Sequence, residues 1–197
     1  MDKIIFATSN QGKMDEIRMI MEGFGVQILS MKEAGIYANI DECGTTFEEN
    51  AIIKAETVMK LTNCVTLADD SGLEIDYLNK EPGVYSARYL GEDTPYAIKN
   101  KSLIDRLNGV EGDDRSARFV CSIAAAFPDG ETVTTRGTIE GVIGYEEKGT
   151  HGFGYDPILY VPEYGMTTGE MLPEDKNKIS HRGIALRKMR EILQKKM

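Results

Sequence analysis

The sequence predicts an α/β fold on a mixed sheet. Three observations carry that expectation: the chain opens strand–helix–strand, it has helices at both ends, and a long alternating hairpin lies between them. A strand–helix–strand unit pairs its strands in parallel, whereas a hairpin pairs them antiparallel. The 197 residues suit a single domain, 1–197, or one domain with two lobes. A chain of this length can bury roughly 70% of its unfolded surface, so it should not need disulfides.

KIIFAT (3–8) is a short apolar run rich in β-branched residues and reads as a buried strand. QGKMDEIRMIMEGFG (11–25) puts Met14, Ile17, Ile20 and Met21 at helical spacing, with Gly23 or Gly25 as the stop. VQILS (26–30) is the second strand. TTFEENAIIKAETVMKL (45–61) is a helix with a capping box, Thr46 with Glu49, and an apolar face of Phe47, Ala51, Ala55, Val58 and Met59. CVTLA (64–68) is a strand expected to stop on the acidic pair Asp69–Asp70. Ser71 and Gly72 fit a tight turn there, and GLEIDYL (72–78) alternates beyond it.

TPYAIKNKSLIDRLNGV (94–110) reads as a helix with Thr94 as N-cap and Pro95 at its first position. SARFVCSIAAAFP (116–128) and ETVTTRGTIEGVIG (131–144) alternate as strands, and PDG between them is a hairpin turn. The stretch 145–180 reads as loops around one strand, PILYVP (157–162). SHRGIALRKMREILQKKM (180–197) closes the chain as a helix with Ser180 as N-cap.

The composition, 41% apolar and 28% charged, is that of an ordinary globular protein. The net charge of −9 argues against non-specific nucleic-acid or anionic-membrane binding. An acidic enzyme acting on phosphates would recruit a divalent cation. Cys43, Cys64 and Cys121 form no CxxC pair and read as reduced packing residues. The N-terminal apolar run is too short for a signal peptide, and no stretch approaches the ~18 apolar residues of a membrane span. A soluble, cytoplasmic protein is expected.

Five stretches carry candidate chemistry. TSNQGK (8–13) sits at a strand-to-helix junction, where free backbone N–H groups and the helix dipole favour an anion. Thr8, Ser9 and Asn10 add donors, Gly12 allows close approach and Lys13 adds charge; ordinary N-capping is the alternative. Asp69 and Asp70 would suit Mg²⁺, which takes one or two carboxylates plus substrate phosphates, or could cap a turn. Asp41 and Glu42 precede the capping-box helix, where negative charge suits the dipole. Asn50 and Lys54, one turn apart on that helix, face either a cleft or water. In GTHGFGYDP (149–157), Phe153 could stack on a base and Asp156 could accept from a ring N–H; a structured turn with aromatics in the core is the alternative. Lys176, His181 and Arg182 open the last helix, where cations oppose the dipole, so an acceptor-rich ligand is favoured there. Arg182 could donate to a purine carbonyl.

With TSNQGK, FEENAIIKA, ADDSG, GFGYDP and ISHRG in this order, the chain resembles the non-canonical purine nucleoside triphosphate pyrophosphatases, the inosine/xanthosine triphosphate pyrophosphatases. The resemblance runs from residue 3 to about residue 190 and includes PGVYSARY (82–89). It implies Mg²⁺-dependent hydrolysis of ITP, dITP and XTP to the monophosphate and pyrophosphate. It also implies a two-lobed α/β structure with a long mixed sheet and a cleft, usually as a homodimer. Thr8, Ser9, Asn10, Gln11, Gly12 and Lys13 would then hold the triphosphate, and Lys13 would stabilise the leaving pyrophosphate. Asp70 would be proton acceptor and metal ligand. The second metal position falls on Asp41, with Glu42 as the close alternative. Ser71, Phe153, Gly154, Tyr155, Asp156, Lys176, His181 and Arg182 would bind the nucleotide. The family often has Gly where Ser9 stands and Glu where Asp41 stands. A pyrophosphatase of other modified nucleotides and a non-catalytic nucleotide sensor are the competing readings.

Overall fold

A computed structural model describes residues 3–196. Its strands are β1 (Lys3–Phe6), β2 (Gln27–Ser30), β3 (Thr66–Ile75), β4 (Ser116–Ala126), β5 (Thr132–Ile143), β6 (Leu159–Val161) and β7 (Met166–Thr167). The helices are α1 (Gln11–Ile20), α2 (Phe47–Thr62), α3 (Tyr96–Arg106), α4 (Pro173–Ile179) and α5 (His181–Gln194). The strands form one seven-stranded sheet in the order β2-β1-β3-β4-β5-β6-β7. β1 runs parallel to both β2 and β3, while β5–β6 and β6–β7 are antiparallel, so the sheet is mixed.

The chain divides into two compact units. The first comprises Met1–Ser71, Cys121–Gly137 and His181–Met197; the second comprises Gly72–Val120 and Thr138–Ser180. In the first unit, strand alternation sorts the side chains into two cores. Ile4, Phe6 and Leu67, with Cys121, Ile123 and Ala125, face α1 and α5 through Met14, Ile17, Leu186 and Met189. The intervening residues Ile5, Ala7, Ala68, Ala124 and Ala126 face α2 through Ala51, Ala55 and Val58. The small alanines of that face let α2 lie close to the strands. The second unit packs Leu73, Ile75, Leu103, Phe119, Ile139, Ile158 and Leu159 into its own core.

Local signals explain most boundaries. The capping box of α2 forms in both directions between Thr46 and Glu49. That helix ends on Asn63 in the left-handed conformation, with φ of 52°. The hairpin turn forms as expected: Phe127 N–H donates to the Glu131 carbonyl and Gly130, at φ +92°, completes the turn.

Three expectations are corrected. β3 does not stop on the acidic pair but runs through it to Ile75, so Ser71 and Gly72 are strand residues rather than a turn. The register with β1 ends at Leu67, and the acidic pair lies in the continuation of the strand beyond it. α3 begins at Tyr96, because the Thr94 hydroxyl donates to the Leu90 carbonyl at 2.6 Å instead of capping the helix. The stretch 145–180, read as loops, contains α4, with Pro173 in its first turn.

Candidate active site

The site in the first unit begins where β1 ends. Ala7 N–H donates to the Leu67 carbonyl at 2.7 Å, and the chain then leaves the sheet through Thr8 and Ser9 into α1. Asp69 and Asp70 of the neighbouring strand therefore lie just past the carboxyl end of β1, the usual ligand position of a parallel α/β sheet. Asn10 caps α1: its side chain accepts from Lys13 N–H at 3.0 Å. Asn10 N–H in turn donates to Thr8 Oγ1 at 3.2 Å. The exposed Gln11 side chain donates to Asp15 at 2.7 Å. Of the residues 8–13, Ser9, Asn10 and Gln11 are exposed and Thr8, Gly12 and Lys13 half-buried.

Strand alternation sends the two adjacent carboxylates to opposite faces. Asp69 shares the parity of Leu67 and faces α1 and α5. It is 1% exposed and pairs with Lys13 at 3.0 Å and Arg182 at 3.1 Å, while the Ser71 hydroxyl donates to it at 3.2 Å. Arg182 also pairs with buried Glu16 and donates to Ser71 Oγ at 2.9 Å. Glu16, Arg182, Asp69 and Lys13 thus form a buried chain of alternating charge. Burial alone would raise the Asp69 carboxyl, but Lys13 and Arg182 overcome it and hold the group well below the usual carboxylate range.

Asp70 shares the parity of Ala68 and faces α2. Asn50 Nδ2 donates to its Oδ2 at 3.2 Å, and Lys54 Nζ lies 3.3 Å from its Oδ1. The same Lys54 ammonium is 2.9 Å from Glu42 Oε2. Asn50 is fixed in turn, since its Oδ1 accepts from Gly44 N–H at 2.8 Å. Gly44 is required there: a Cβ would fall 2.6 Å from Asn50 Oδ1 and 2.7 Å from Glu49 Cβ. Burial raises the Asp70 carboxyl, and the like charge of Glu42 adds to it; Lys54 and Lys13 offset these only in part.

Lys54 is itself raised: Asp70, Asp69 and Glu42 together outweigh its desolvation. Both ends of this pair are raised, for different reasons. Lys54 gathers three carboxylates, whereas Asp70 meets a like charge as well as cations. Cys121, buried beside Asp69, has its thiol pushed up to about 12 by burial and is no nucleophile.

Several expectations change at this point. Asp41 is exposed and lies outside the network, whereas Glu42 is the carboxylate brought to Lys54 and Asp70. Arg182, expected at a purine carbonyl, is 1% exposed with its guanidinium bound by Glu16, Asp69 and Ser71. His181 is buried as the first residue of α5. Asn50 and Lys54 are both buried and reach Asp70 instead of facing water. Glu16 was missed; its signal was a carboxylate within the apolar stripe of α1, a position that demands a cationic partner.

A second cluster lies within the other unit. The Asp156 carboxylate is 3% exposed and fully engaged. Its Oδ2 accepts from Lys176 Nζ at 2.6 Å and Phe153 N–H at 2.9 Å, and its Oδ1 accepts from Thr168 Oγ1 at 2.9 Å. It pins the GFGYD loop rather than offering a free acceptor to a ring N–H. Gly152, at φ +75°, has no room for a Cβ, which would meet Asp156 Oδ2 at 2.1 Å. Lys176 Nζ stands 5.4 Å from the centroid of the half-buried Phe153 ring. Tyr155 belongs to the core: its hydroxyl donates to the Ser86 carbonyl at 2.7 Å and its ring meets Tyr96 edge-on at 5.2 Å. Asn100, also missed, donates from Nδ2 to Glu147 at 2.6 Å and to the Gly154 carbonyl at 3.3 Å. Gly154, at φ +66°, packs against Tyr96.

Among the described residues no group of three or more His, Cys, Asp or Glu is arranged to hold a metal ion. Mg²⁺ needs fewer: it takes one or two carboxylates and completes its shell with water and substrate phosphates. Glu42 and Asp70 meet that requirement, since both already converge on a single cation, the Lys54 ammonium. No helix among the described residues is long and apolar enough to cross a membrane.

An acidic pair at the end of the parallel strands, with a capped helix beside it, makes this an α/β protein with a candidate ligand site at the strand ends. The Ham1 family model matches residues 4–192, and the chain belongs to the Ham1 family. It is 48% identical over 193 residues to the dITP/XTP pyrophosphatase of Bacillus licheniformis, covering 98% of each chain. To the dITP/XTP pyrophosphatase of Bacillus subtilis it is 46% identical over 194 residues, again with 98% of each covered. The structure of the Staphylococcus aureus Ham1 protein matches with a TM-score of 0.89 at 39% identity, covering 100% of both chains.

Proposed function

We propose that this chain hydrolyses the non-canonical purine nucleoside triphosphates ITP, dITP and XTP to the nucleoside monophosphate and pyrophosphate. The Ham1 family membership and the dITP/XTP pyrophosphatase relatives support it. The observation in the chain itself that carries it is Asp70: a buried carboxylate held above its ordinary range, oriented by Asn50 and Lys54, beside the turn into α1. A carboxylate with a raised value is a stronger base than a free one, which suits it to taking a proton from water. Binding alone requires no such group.

In this reading Glu42 and Asp70 hold Mg²⁺, which when bound neutralises charge on the phosphates. Thr8 to Lys13 bind the triphosphate at the start of α1, where backbone N–H groups favour an anion. Of the two cations on Asp69, Lys13 has its side chain 17% exposed and Arg182 only 2%, so Lys13 is the one that faces the pyrophosphate. Water attacks the α-phosphorus, forming one P–O bond and breaking the bond to the bridging oxygen. The water's proton passes to Asp70, and the electron pair of the broken bond leaves with pyrophosphate. Arg182 and Ser71 act by holding Asp69, and Asp69 holds Lys13.

For the base, we assign stacking to Phe153, whose half-buried ring lies beside the buried Lys176–Asp156 pair. Hypoxanthine and xanthine carry an acceptor at position 6 where adenine carries an amino donor, so a fixed donor there rejects ATP. A homodimer is proposed on the family resemblance and on the exposed apolar side chains Tyr85, Leu90 and Ile98. The cytoplasm is proposed as its location, in keeping with three free cysteines. The deciding experiment is pyrophosphate release from ITP with and without Mg²⁺, run beside ATP and GTP. Tight ITP binding without release would favour a sensor instead.

A further inference from the structure

Asn50 is a neutral side chain that donates to Asp70, and it is 0% exposed. Its amide is orientated without ambiguity. The backbone N–H of Gly44 can only donate, so the atom it meets at 2.8 Å is Oδ1, and Nδ2 is left to donate to Asp70 Oδ2 at 3.2 Å. Gly44 is two residues from Glu42. One side chain therefore ties the segment bearing Glu42 to the carboxylate of Asp70, from the rigid interior of α2. Lys54, one turn further along, meets the other oxygen, Oδ1, at the longer distance of 3.3 Å through a flexible stem.

We propose that Asn50 is a positioning residue that orients the Asp70 carboxylate relative to the segment bearing Glu42; this rests on the pyrophosphatase reading above. Its N–H holds Oδ2 while the Lys54 ammonium holds Oδ1, so the two contacts together fix the plane of the carboxylate. Its second bond, to Gly44, sets where Glu42 stands relative to that carboxylate. Neither atom of Asn50 meets substrate in this scheme, so the residue acts on turnover through Asp70 and the segment bearing Glu42.

The test compares Asn50→Ala and Asn50→Asp with wild type, measuring kcat and KM for ITP with Mg²⁺ at a temperature where circular dichroism shows each variant folded. Asn50→Asp keeps the acceptor for Gly44 N–H but loses the donor to Asp70, so it carries the test should Asn50→Ala fail to fold. Loss of such a supporting partner typically costs about 10–100-fold in activity, and that loss is expected in kcat for both variants, with KM nearly unchanged. Wild-type kcat in either folded variant would overturn the proposal, as would a loss confined to KM. Absence of pyrophosphate release by wild type would instead overturn the functional reading itself.

Discussion

Asp69 and Asp70 are consecutive residues of β3 whose carboxylates face opposite sides of the sheet and are driven in opposite directions. Asp69 is held down by Lys13 and Arg182, and Asp70 is pushed up by burial and by Glu42. The first stabilises the fold and the second is kept ready for chemistry. Removing one partner of a buried ion pair costs about 3–5 kcal/mol because the other charge is left alone. Asp69→Ala is expected to lose stability of that order in urea denaturation, while Asp70→Asn is expected to stay within about 1 kcal/mol of wild type.

The same contrast has a pH signature in metal-free buffer with chelator. Asp69 is below its ordinary value when folded, so it adds stability that is full above about pH 4 and fades as pH falls through that value. Asp70 is above its ordinary value, so the folded state holds that proton more tightly, and stability falls as pH rises from about 4 past the folded value. Asp70→Asn removes this second dependence. Its stability relative to wild type is expected to increase from pH 4 toward neutrality. A flat difference between the two proteins across that range would contradict the assignment.

The contribution of Arg182 separates two accounts of base selection. Its guanidinium is enclosed by Glu16, Asp69 and Ser71. Arg182→Lys should lower the melting temperature by several degrees, since a point charge cannot replace the planar fork. It should nonetheless retain the preference for ITP over ATP. Loss of that preference in a folded variant would return Arg182 to the base edge.

Phe153 makes the complementary case. Base–aromatic stacking is worth about 1–3 kcal/mol, so Phe153→Ala should raise KM for ITP roughly 5- to 150-fold. The thermal midpoint should move little, because the ring is half-buried. Steady-state kinetics with ITP and XTP measure the effect.

Glu42 and Asp41 differ in the same way at the metal. Glu42→Gln is expected to raise the Mg²⁺ concentration for half-maximal activity about 10-fold or more. Asp41→Asn should leave it unchanged, since that side chain is exposed and outside the network.

Much of this was legible in the chain. The capping box, the alternating hairpin and the helical stripe of α1 are local signals, and each formed where its residues stand. The acidic pair was recognised as a site but misread as the end of a strand. What a local reading lacks is the counter-charge: Asp69 and Arg182 are 113 residues apart. For the same reason nothing local marks Glu16 as the partner of Arg182, and Arg182 reads as a free donor. Asn50 and Lys54 were noticed as one helix face, but only the packing of α2 on the alanines of β3 and β4 turns that face toward Asp70. The choice between Asp41 and Glu42 depends on which side chain leaves a loop at the right angle, and no spacing rule encodes that.

The central claim is that Asp70 takes the proton of a water attacking a magnesium-loaded purine triphosphate. Pyrophosphate release from ITP by wild type and by Asp70→Asn, both verified as folded, tests it most directly. The account predicts Mg²⁺-dependent release by wild type and a loss of at least about 100-fold in the variant, the lower bound for a general base. Undiminished release by the folded variant would contradict it.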